Sequence, residues 1–244
     1  MSDKKKYKIF SVKDKNEKKV KKKDKIFDLT HRLLLIGKTQ SGKGVVATNM
    51  LLLPEYYGND FEGEHIYIFS KSLDFDYKTK LMIKQKDIPK QNLFKGLDDD
   101  TLGAVLDFIE EEYLEAEQNG ENPPHSLIIL DDVMENLKQK DKNSAVNELF
   151  VRGRHLNIST WVFLQYYSRL PIIARTNSTG LVMFELPKKQ IDIISDEQNY
   201  LDDKKDFYKM YKKATEKKHS FFVINYTNDK EDRYLDSNFE NIKL

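Results

Sequence analysis

Short apolar runs recur along the chain and alternate with longer stretches in which apolar and charged residues mix. Unbroken apolar runs of this length are typical of strands that are buried on both faces of a parallel sheet. The runs predict strands at 32–36, 65–70, 126–130, 159–164, 180–184 and 220–224. The intervening stretches predict helices at 45–53, at two or more places within 77–118 (the acidic one at 99–117), and at 145–154, 188–194 and 204–217. This alternation predicts an α/β fold, in which a mainly parallel central sheet is covered by helices on both faces.

The first predicted strand leads into a glycine-bearing loop. Ligands of parallel sheets bind at the carboxyl ends of the strands, where this loop lies. The loop reads Gly-Lys-Thr-Gln-Ser-Gly-Lys and matches the GxxxxGK pattern of a phosphate-binding loop (P-loop). Its glycines let backbone N–H groups curl around phosphate oxygens, and the following helix adds its positive N-terminus. The pattern predicts an ATP site formed by Gly37, Lys38, Thr39, Gln40, Ser41, Gly42, Lys43 and Gly44, with Lys43 reaching the β- and γ-phosphates.

Position 44 departs from the pattern, because a Ser or Thr there normally supplies a hydroxyl ligand to Mg²⁺. Gly44 has no hydroxyl. The metal would then be held by Asp131 and water, by the hydroxyl of Ser41 or Thr48, or only weakly, as in a poor ATPase or a nucleotide-binding relic. A positive φ angle at Gly44, which a β-carbon would forbid, is a further alternative.

Two more predicted strands end in polar residues that suit nucleotide hydrolysis. The strand at 126–130 ends in Asp131 and Asp132, as in a Walker B motif. Asp131 would hold Mg²⁺, and Asp132 would orient or deprotonate the attacking water, with Glu135 as the next candidate base. The amide of Gln165, after the strand at 159–164, would sense the γ-phosphate or position water. The alternatives are a helix cap for the carboxylates and an ordinary polar strand end for the amide.

Arginine is rare in this chain, which holds 35 lysines and six arginines. Four of the six lie close to the strand at 159–164: Arg152, Arg154, Arg169 and Arg175. An arginine supplied across a subunit boundary neutralises transition-state charge and raises the rate of hydrolysis by ~10³ or more. Pairing with a helix C-terminus or with surface carboxylates is the alternative for each of them.

Charge divides the chain into an arm and a body. Residues 1–25 hold 12 lysines against four acidic residues, a net charge of +8, and show no hydrophobic periodicity. They predict a disordered basic arm that binds a polyanion or only keeps the protein soluble. Residues 26–244 carry −7 and predict the P-loop ATPase domain. The chain has no cysteine, which excludes disulfides, and no apolar run long enough for a signal peptide or membrane span, so we expect a soluble intracellular protein.

With these motifs in order, residues 33–186 resemble the FtsK/HerA-type genome-packaging ATPases of large DNA viruses and virophages, which are RecA-like P-loop NTPases with three layers. The matching segments are 37–43, 129–132, 154–159 leading to Gln165, 170–171 and 175–177. The resemblance implies that Lys43 contacts phosphate, Asp131 serves Mg²⁺, Asp132 is the catalytic carboxylate and Gln165 is the polar sensor. It also implies that Arg154 and Arg175 enter a neighbour's site in a ring.

The resemblance further implies a motor that uses ATP and Mg²⁺ to move double-stranded DNA into a capsid. The expected partners are DNA, further copies of the chain in a ring of five or six, and capsid proteins, but not a membrane. The expected location is a virus factory in the host cell or the virion. Because the body is mildly acidic, DNA contacts would come from a local basic pore loop or from the arm.

Two other functions fit part of the pattern. A replication-associated ATPase of the AAA+ or helicase type would share the phosphate loop and the acidic strand end, although no helical lid with its own sensor arginine is evident. A nucleotide-binding virion component with little turnover would be consistent with Gly44. Measuring ATP turnover with and without duplex DNA, for the native protein and Lys43→Ala, discriminates among these functions.

Overall fold

The computed structural model describes residues 26–133 and 144–243. The predicted basic arm and the candidate base Glu135 therefore lie outside the described residues. The strands of the described part are β1 (Arg32–Ile36), β2 (Ile66–Ser70), β3 (Leu93–Phe94), β4 (Ser126–Asp131), β5 (Ile158–Leu164), β6 (Gly180–Met183), β7 (Phe222–Asn225) and β8 (Tyr234–Leu235). Its α-helices are α1 (Lys43–Leu52), α2 (Tyr77–Gln85), α3 (Asp99–Asn119), α4 (Ala145–Arg152), α5 (Ile172–Thr176), α6 (Lys188–Gln198) and α7 (Lys204–Ala214).

The apolar runs form strands because both faces of the sheet are covered. In β1, Leu34 and Ile36 contribute to one hydrophobic cluster, whereas Leu33 and Leu35 contribute to the other. Alternate side chains of a strand point to opposite faces, so an unbroken apolar run fills both. Helices α3, α4, α6 and α7 pack on the first face, and α1 and α2 on the second. The predicted α/β fold with three layers is confirmed.

The eight strands form one sheet in the order β3-β2-β4-β5-β1-β6-β7-β8. The first six strands in this order, from β3 to β6, pair in parallel with one another. At the other edge β7 pairs antiparallel with β6, and β8 pairs antiparallel with β7. The mainly parallel sheet predicted from sequence is thus confirmed, with an antiparallel edge that the sequence pattern did not indicate. In this order β1 and β4 both pair with β5, so the carboxyl ends of the three strands are adjacent.

The register of these three strands fixes the height of their polar ends. Ile36 of β1 pairs with Leu164 of β5, and Asp131 of β4 pairs with Phe163. The N–H of Gly37 donates to the carbonyl of Leu164 at 3.0 Å. The phosphate loop, the two aspartates and Gln165 therefore leave the sheet at one edge and at one level.

Capping residues close the ends of α2 and α3. Asp76 caps α2 by accepting from the N–H of Thr79, and Asp98 caps α3 by accepting from the N–H of Thr101. Gly120 ends α3 in the left-handed conformation, with a φ of 74°. Such caps satisfy backbone groups that a helix leaves unpaired. Within residues 26–133 and 144–243, no helix combines the length and apolarity that crossing a bilayer requires.

Candidate active site

The loop between β1 and α1 is too tight for side chains at two positions. Gly42 has a φ of 119°, a left-handed conformation that favours glycine, and its carbonyl accepts from the N–H of Val45 and Val46. A β-carbon at Gly37 would lie 2.5 Å from Ser41 Oγ and 2.9 Å from Phe184 Cβ. Glycine is therefore favoured at position 42 by the backbone conformation and at position 37 by the close packing of the Ser41 and Phe184 side chains.

Lys43 folds back over this loop. Its ammonium donates to the carbonyl of Gly37 at 2.5 Å and to the carbonyl of Lys38 at 3.0 Å. Burial lowers the pKa of Lys43, while the nearby carboxylates of Asp131 and Asp132 oppose that shift. A partly desolvated ammonium beside a helix N-terminus suits a phosphate, whose oxygens would replace the two carbonyls as acceptors.

Asp131 lies at the end of β4 with two hydroxyl groups beside it. Its Oδ2 accepts from Ser70 Oγ at 3.0 Å and from Ser72 Oγ at 3.5 Å. Burial raises the pKa of Asp131, the Ser70 hydroxyl counteracts this, and the neighbouring Asp132 adds to it. A partly buried carboxylate with two hydroxyl oxygens beside it is a donor set that a hard cation such as Mg²⁺ prefers, so these residues fit the metal that the motif implies.

Asp132 and Gln165 meet, as their strand-end positions predict. The Nε2 of Gln165 donates to both carboxylate oxygens of Asp132, each at 3.2 Å. Asp132 has a φ of 54°, a left-handed conformation that aspartate adopts more readily than most residues. The amide fixes the direction of the carboxylate, as a water-orienting group requires.

The structure narrows the alternatives for Gly44. Gly44 lies inside α1, and the positive φ of this region belongs to Gly42. The alternative of a positive φ at Gly44 is therefore wrong. Thr48 Oγ1 donates to the carbonyl of Gly44 at 2.7 Å, so this hydroxyl is engaged within the helix. Ser41 Oγ is buried and has no hydrogen-bond partner among the described residues.

One cleft of about 510 Å³, a size that suits a nucleotide, is lined by residues 39–44 of the phosphate loop together with Asp131, Asp132 and Gln165. The charged and amide side chains around it belong to Gln40, Lys43, Asp76, Lys78, Asp131, Asp132 and Gln165. Asp76 and Lys78 come from the start of α2, and no motif in the sequence pointed to them. The only sequence signal at this place is the N-cap pattern of α2, which predicts a helix start and no ligand.

A histidine far along the chain supports the loop. His219 lies shortly before β7, and its Nδ1 donates to the carbonyl of Ser41 at 3.0 Å. No role for His219 could be predicted from the sequence, because the histidines show no metal-ligand spacing. The contact joins residues 178 positions apart, so only the folded chain reveals it.

The arginines lie away from this cleft. Arg154 is exposed and donates to His155 Nε2 at 3.2 Å. Burial lowers the pKa of Arg32, at the opposite end of β1, and the charge of Arg154 lowers it further. The side chain of Arg175 is only 9% exposed and pairs with Glu197 at 2.5 Å. Neither reaches the site within one chain. Their action across a subunit boundary remains a prediction, and for Arg175 the ion pair favours a structural role.

The other two arginines of the group also have ordinary partners or positions. Arg152 pairs with Glu110 at 2.7 Å and with Glu148 one helical turn before it. Arg169 lies on the exposed surface after β5. The alternative of surface ion pairing, raised from sequence, holds for Arg152.

The sequence of this chain is similar to that of known viral proteins. A sequence profile of the Poxvirus A32 protein family matches residues 17–236. The DNA packaging protein OPG160 of Monkeypox virus is 25% identical over 186 residues, which is 73% of this chain and 53% of the relative. The protein of the same name from Vaccinia virus (strain Copenhagen) is 25% identical over 186 residues, 59% of its length. The chain thus spans little more than half the length of these curated relatives.

Solved structures share the fold. The genome packaging NTPase B204 from Sulfolobus turreted icosahedral virus 2, in complex with AMP, has a TM-score of 0.56 at 15% identity, covering 81% of this chain and 93% of that one. Its complex with AMPPCP has a TM-score of 0.55 at 14% identity, with the same coverage. At such identities the likeness shows the fold alone.

Proposed function

The chain belongs to the Poxvirus A32 protein family, and we propose that it is an ATP-hydrolysing motor that moves double-stranded DNA into a viral capsid. The observation that carries this proposal is the meeting of Lys43, Asp131, Asp132 and Gln165 in one cleft. Nucleotide hydrolysis requires a phosphate loop, a carboxylate that binds the metal, a carboxylate that orients water and a polar sensor. The viral relatives that carry the name DNA packaging protein support the coupling to DNA.

Each residue has a role that its geometry supports. The backbone of the loop and Lys43 bind the phosphates, with the ammonium leaving the carbonyls of Gly37 and Lys38. Asp131, held by the Ser70 hydroxyl, binds the Mg²⁺ that accompanies ATP. The metal supplies charge neutralisation at the phosphate oxygens. Asp132 orients and deprotonates the attacking water, and Gln165 holds the carboxylate in place.

In this proposal the working form is a homo-oligomeric ring of five or six copies. Arg154 enters the site of a neighbouring copy, and this role suits it because its side chain is exposed at the edge of the sheet opposite its own nucleotide cleft. Arg175 is the second arginine proposed for this role, although its pair with Glu197 would first have to break. Double-stranded DNA and capsid proteins are the other partners, and the place of action is the virus factory or the virion.

ATP binding and turnover test the proposal. Lys43→Ala removes the only ammonium on the loop carbonyls in the described structure, so it should abolish ATP binding. Asp132→Asn keeps an acceptor for Gln165 and should bind ATP normally, but hydrolyse it roughly 10²–10⁴-fold more slowly. Calorimetry and phosphate release, each with and without duplex DNA, measure both effects.

The same measurements separate the competing functions. Turnover stimulated by duplex DNA, together with assemblies of five or six copies in mass measurements with nucleotide and DNA, supports the packaging motor. ATP binding with negligible turnover in the native protein would favour a nucleotide-binding virion component, as Gly44 suggests. Unchanged binding and turnover in folded Lys43→Ala would refute the nucleotide site altogether.

A further inference from the structure

The start of α2 lies directly against α1, the helix that follows the phosphate loop. A β-carbon built on Gly44 would lie 2.9 Å from Lys78 Cδ and 3.7 Å from Lys78 Cε. The space in which most P-loop proteins carry a Ser or Thr side chain is thus filled by the lysine of another helix. Lys78 can pack in this space only because position 44 carries no side chain.

Lys78 also brings its charge to the nucleotide cleft. The residue lines the cleft together with Lys43, Asp131 and Asp132. Its ammonium lies 3.4 Å from Asp76 Oδ1, and this is a half-exposed ion pair. Pairs of this kind stabilise a fold only weakly, because water screens them. A triphosphate in the cleft, with several anionic oxygens, can therefore compete for the ammonium.

Asp76 stays in place without Lys78. Its Oδ2 accepts from the N–H of Thr79 at 2.8 Å and from Thr79 Oγ1 at 3.0 Å. Burial alone would raise the pKa of Asp76, but these two bonds and the charge of Lys78 together outweigh burial and lower the pKa. Lys78 pairs only with the other oxygen, Oδ1, so the ammonium can leave and the cap of α2 remains.

We propose that Lys78 is a second lysine ligand of the nucleotide, which binds the β- and γ-phosphate oxygens from the space that Gly44 leaves open. Asp76 holds the ammonium beside the cleft until the phosphates arrive. This inference rests on the proposed function, because it assigns a ligand within the same ATP site. A lysine is a strongly hydrated point charge with three donors, which suits a flexible contact to phosphate.

Calorimetry with ATP and with AMP tests the assignment in the full chain. Lys78→Ala should weaken ATP binding roughly 10–100-fold, as expected for the loss of a charged hydrogen bond. It should change AMP binding much less, because AMP lacks the two outer phosphates. Lys80→Ala is the matched control, because Lys80 is exposed on the same helix. Equal ATP affinities for Lys78→Ala and Lys80→Ala would overturn the proposal.

A second pair of variants tests the packing that motivates it. Gly44→Ser should weaken ATP binding in the native background, because the new β-carbon displaces Lys78. In the Lys78→Ala background the same change should leave binding unchanged or improve it. An equal effect of Gly44→Ser in both backgrounds would show that Lys78 and position 44 act independently, which refutes the inference.

Lys43→Ala makes the two possible failures distinguishable. If the native protein binds ATP, Lys43→Ala does not, and Lys78→Ala matches its Lys80 control, then the inference fails and the proposed function stands. If neither the native protein nor any variant binds ATP, both fail. Thermal melting of each variant confirms that it is folded.

Discussion

Replacing Arg175 by methionine separates two roles for this residue, catalysis in a neighbour's site and support of its own chain. The side chain is 9% exposed, pairs with Glu197 at 2.5 Å, and lies with its guanidinium 5.0 Å from the ring centre of Tyr167. Methionine keeps most of the apolar length of arginine and removes the charge. The variant therefore tests the ion pair and the ring contact rather than the loss of volume.

The cost follows from the burial of the two partners. Breaking a fully buried pair costs about 3–5 kcal/mol, but Glu197 remains 33% exposed and regains some water, which reduces this to about 2–3 kcal/mol. The contact with Tyr167 adds about 1 kcal/mol. For a domain of this size, each kcal/mol lowers Tm by about 2–4 °C, so Arg175→Met should melt roughly 6–16 °C lower.

Thermal melting and turnover, measured on the same preparations, decide between the roles. Arg154→Met is the matched control, because Arg154 is exposed and its replacement should shift Tm by no more than about 2 °C. If Arg175 is structural, Arg175→Met melts lower and hydrolyses ATP almost normally below its Tm. An unchanged Tm together with a loss of turnover in the assembled protein would refute the structural role and assign Arg175 to the neighbour's site.

Two further predictions concern the core of the site and the sheet. Burial raises the folded-state pKa of Asp131 above the ordinary 3.8, so stability is lost as pH rises from that value through the folded-state pKa, and the loss is constant at higher pH. Asp131→Asn should therefore raise the Tm of the nucleotide-free protein at neutral pH, with the gain disappearing in acid, and abolish Mg²⁺-dependent turnover; a lower Tm at neutral pH would contradict this. Gly180→Ala should cost about 1–3 kcal/mol in chemical denaturation, because its β-carbon would lie 2.1 Å from Phe27 Cε1, whereas Gly103→Ala in α3 meets nothing within 4 Å and should be neutral or stabilising. Equal stabilities for the two alanine variants would refute the packing argument.

The strand-end motifs could be predicted because each is contiguous in sequence. Each apolar run predicts a strand, and the polar residues that follow it show where the strand ends. These residues are the GxxxxGK loop, Asp131-Asp132 and Gln165. Parallel strands place such ends on one edge, so the hydrogen bond of Gln165 to Asp132 follows from topology. The antiparallel direction of β7 could not be predicted, because an apolar run reads the same in either direction.

Contacts between distant elements could not be predicted from the sequence. Lys78 is one of many lysines, and its place beside Gly44 depends on the angle at which α2 packs on α1. Arg175 stood out because arginine is rare, yet its partner Glu197 lies on α6, 22 residues away. Rarity of a residue type indicated that Arg175 has a special environment, and only the fold shows that this environment is an ion pair inside its own chain.

The segment after Leu186 matches no motif, but it braces the phosphate loop at two points. His219 holds the carbonyl of Ser41, and the Tyr211 hydroxyl accepts from the N–H of Leu186 and donates to the carbonyl of Phe184, whose ring lies beside Gly42. A truncated chain that ends at Leu186 would lose both braces and leave β6 as an open, apolar sheet edge, which is prone to aggregation. We therefore expect that a stable fragment containing the phosphate loop must reach at least through β7, well past the last residue that the nucleotide motifs mark.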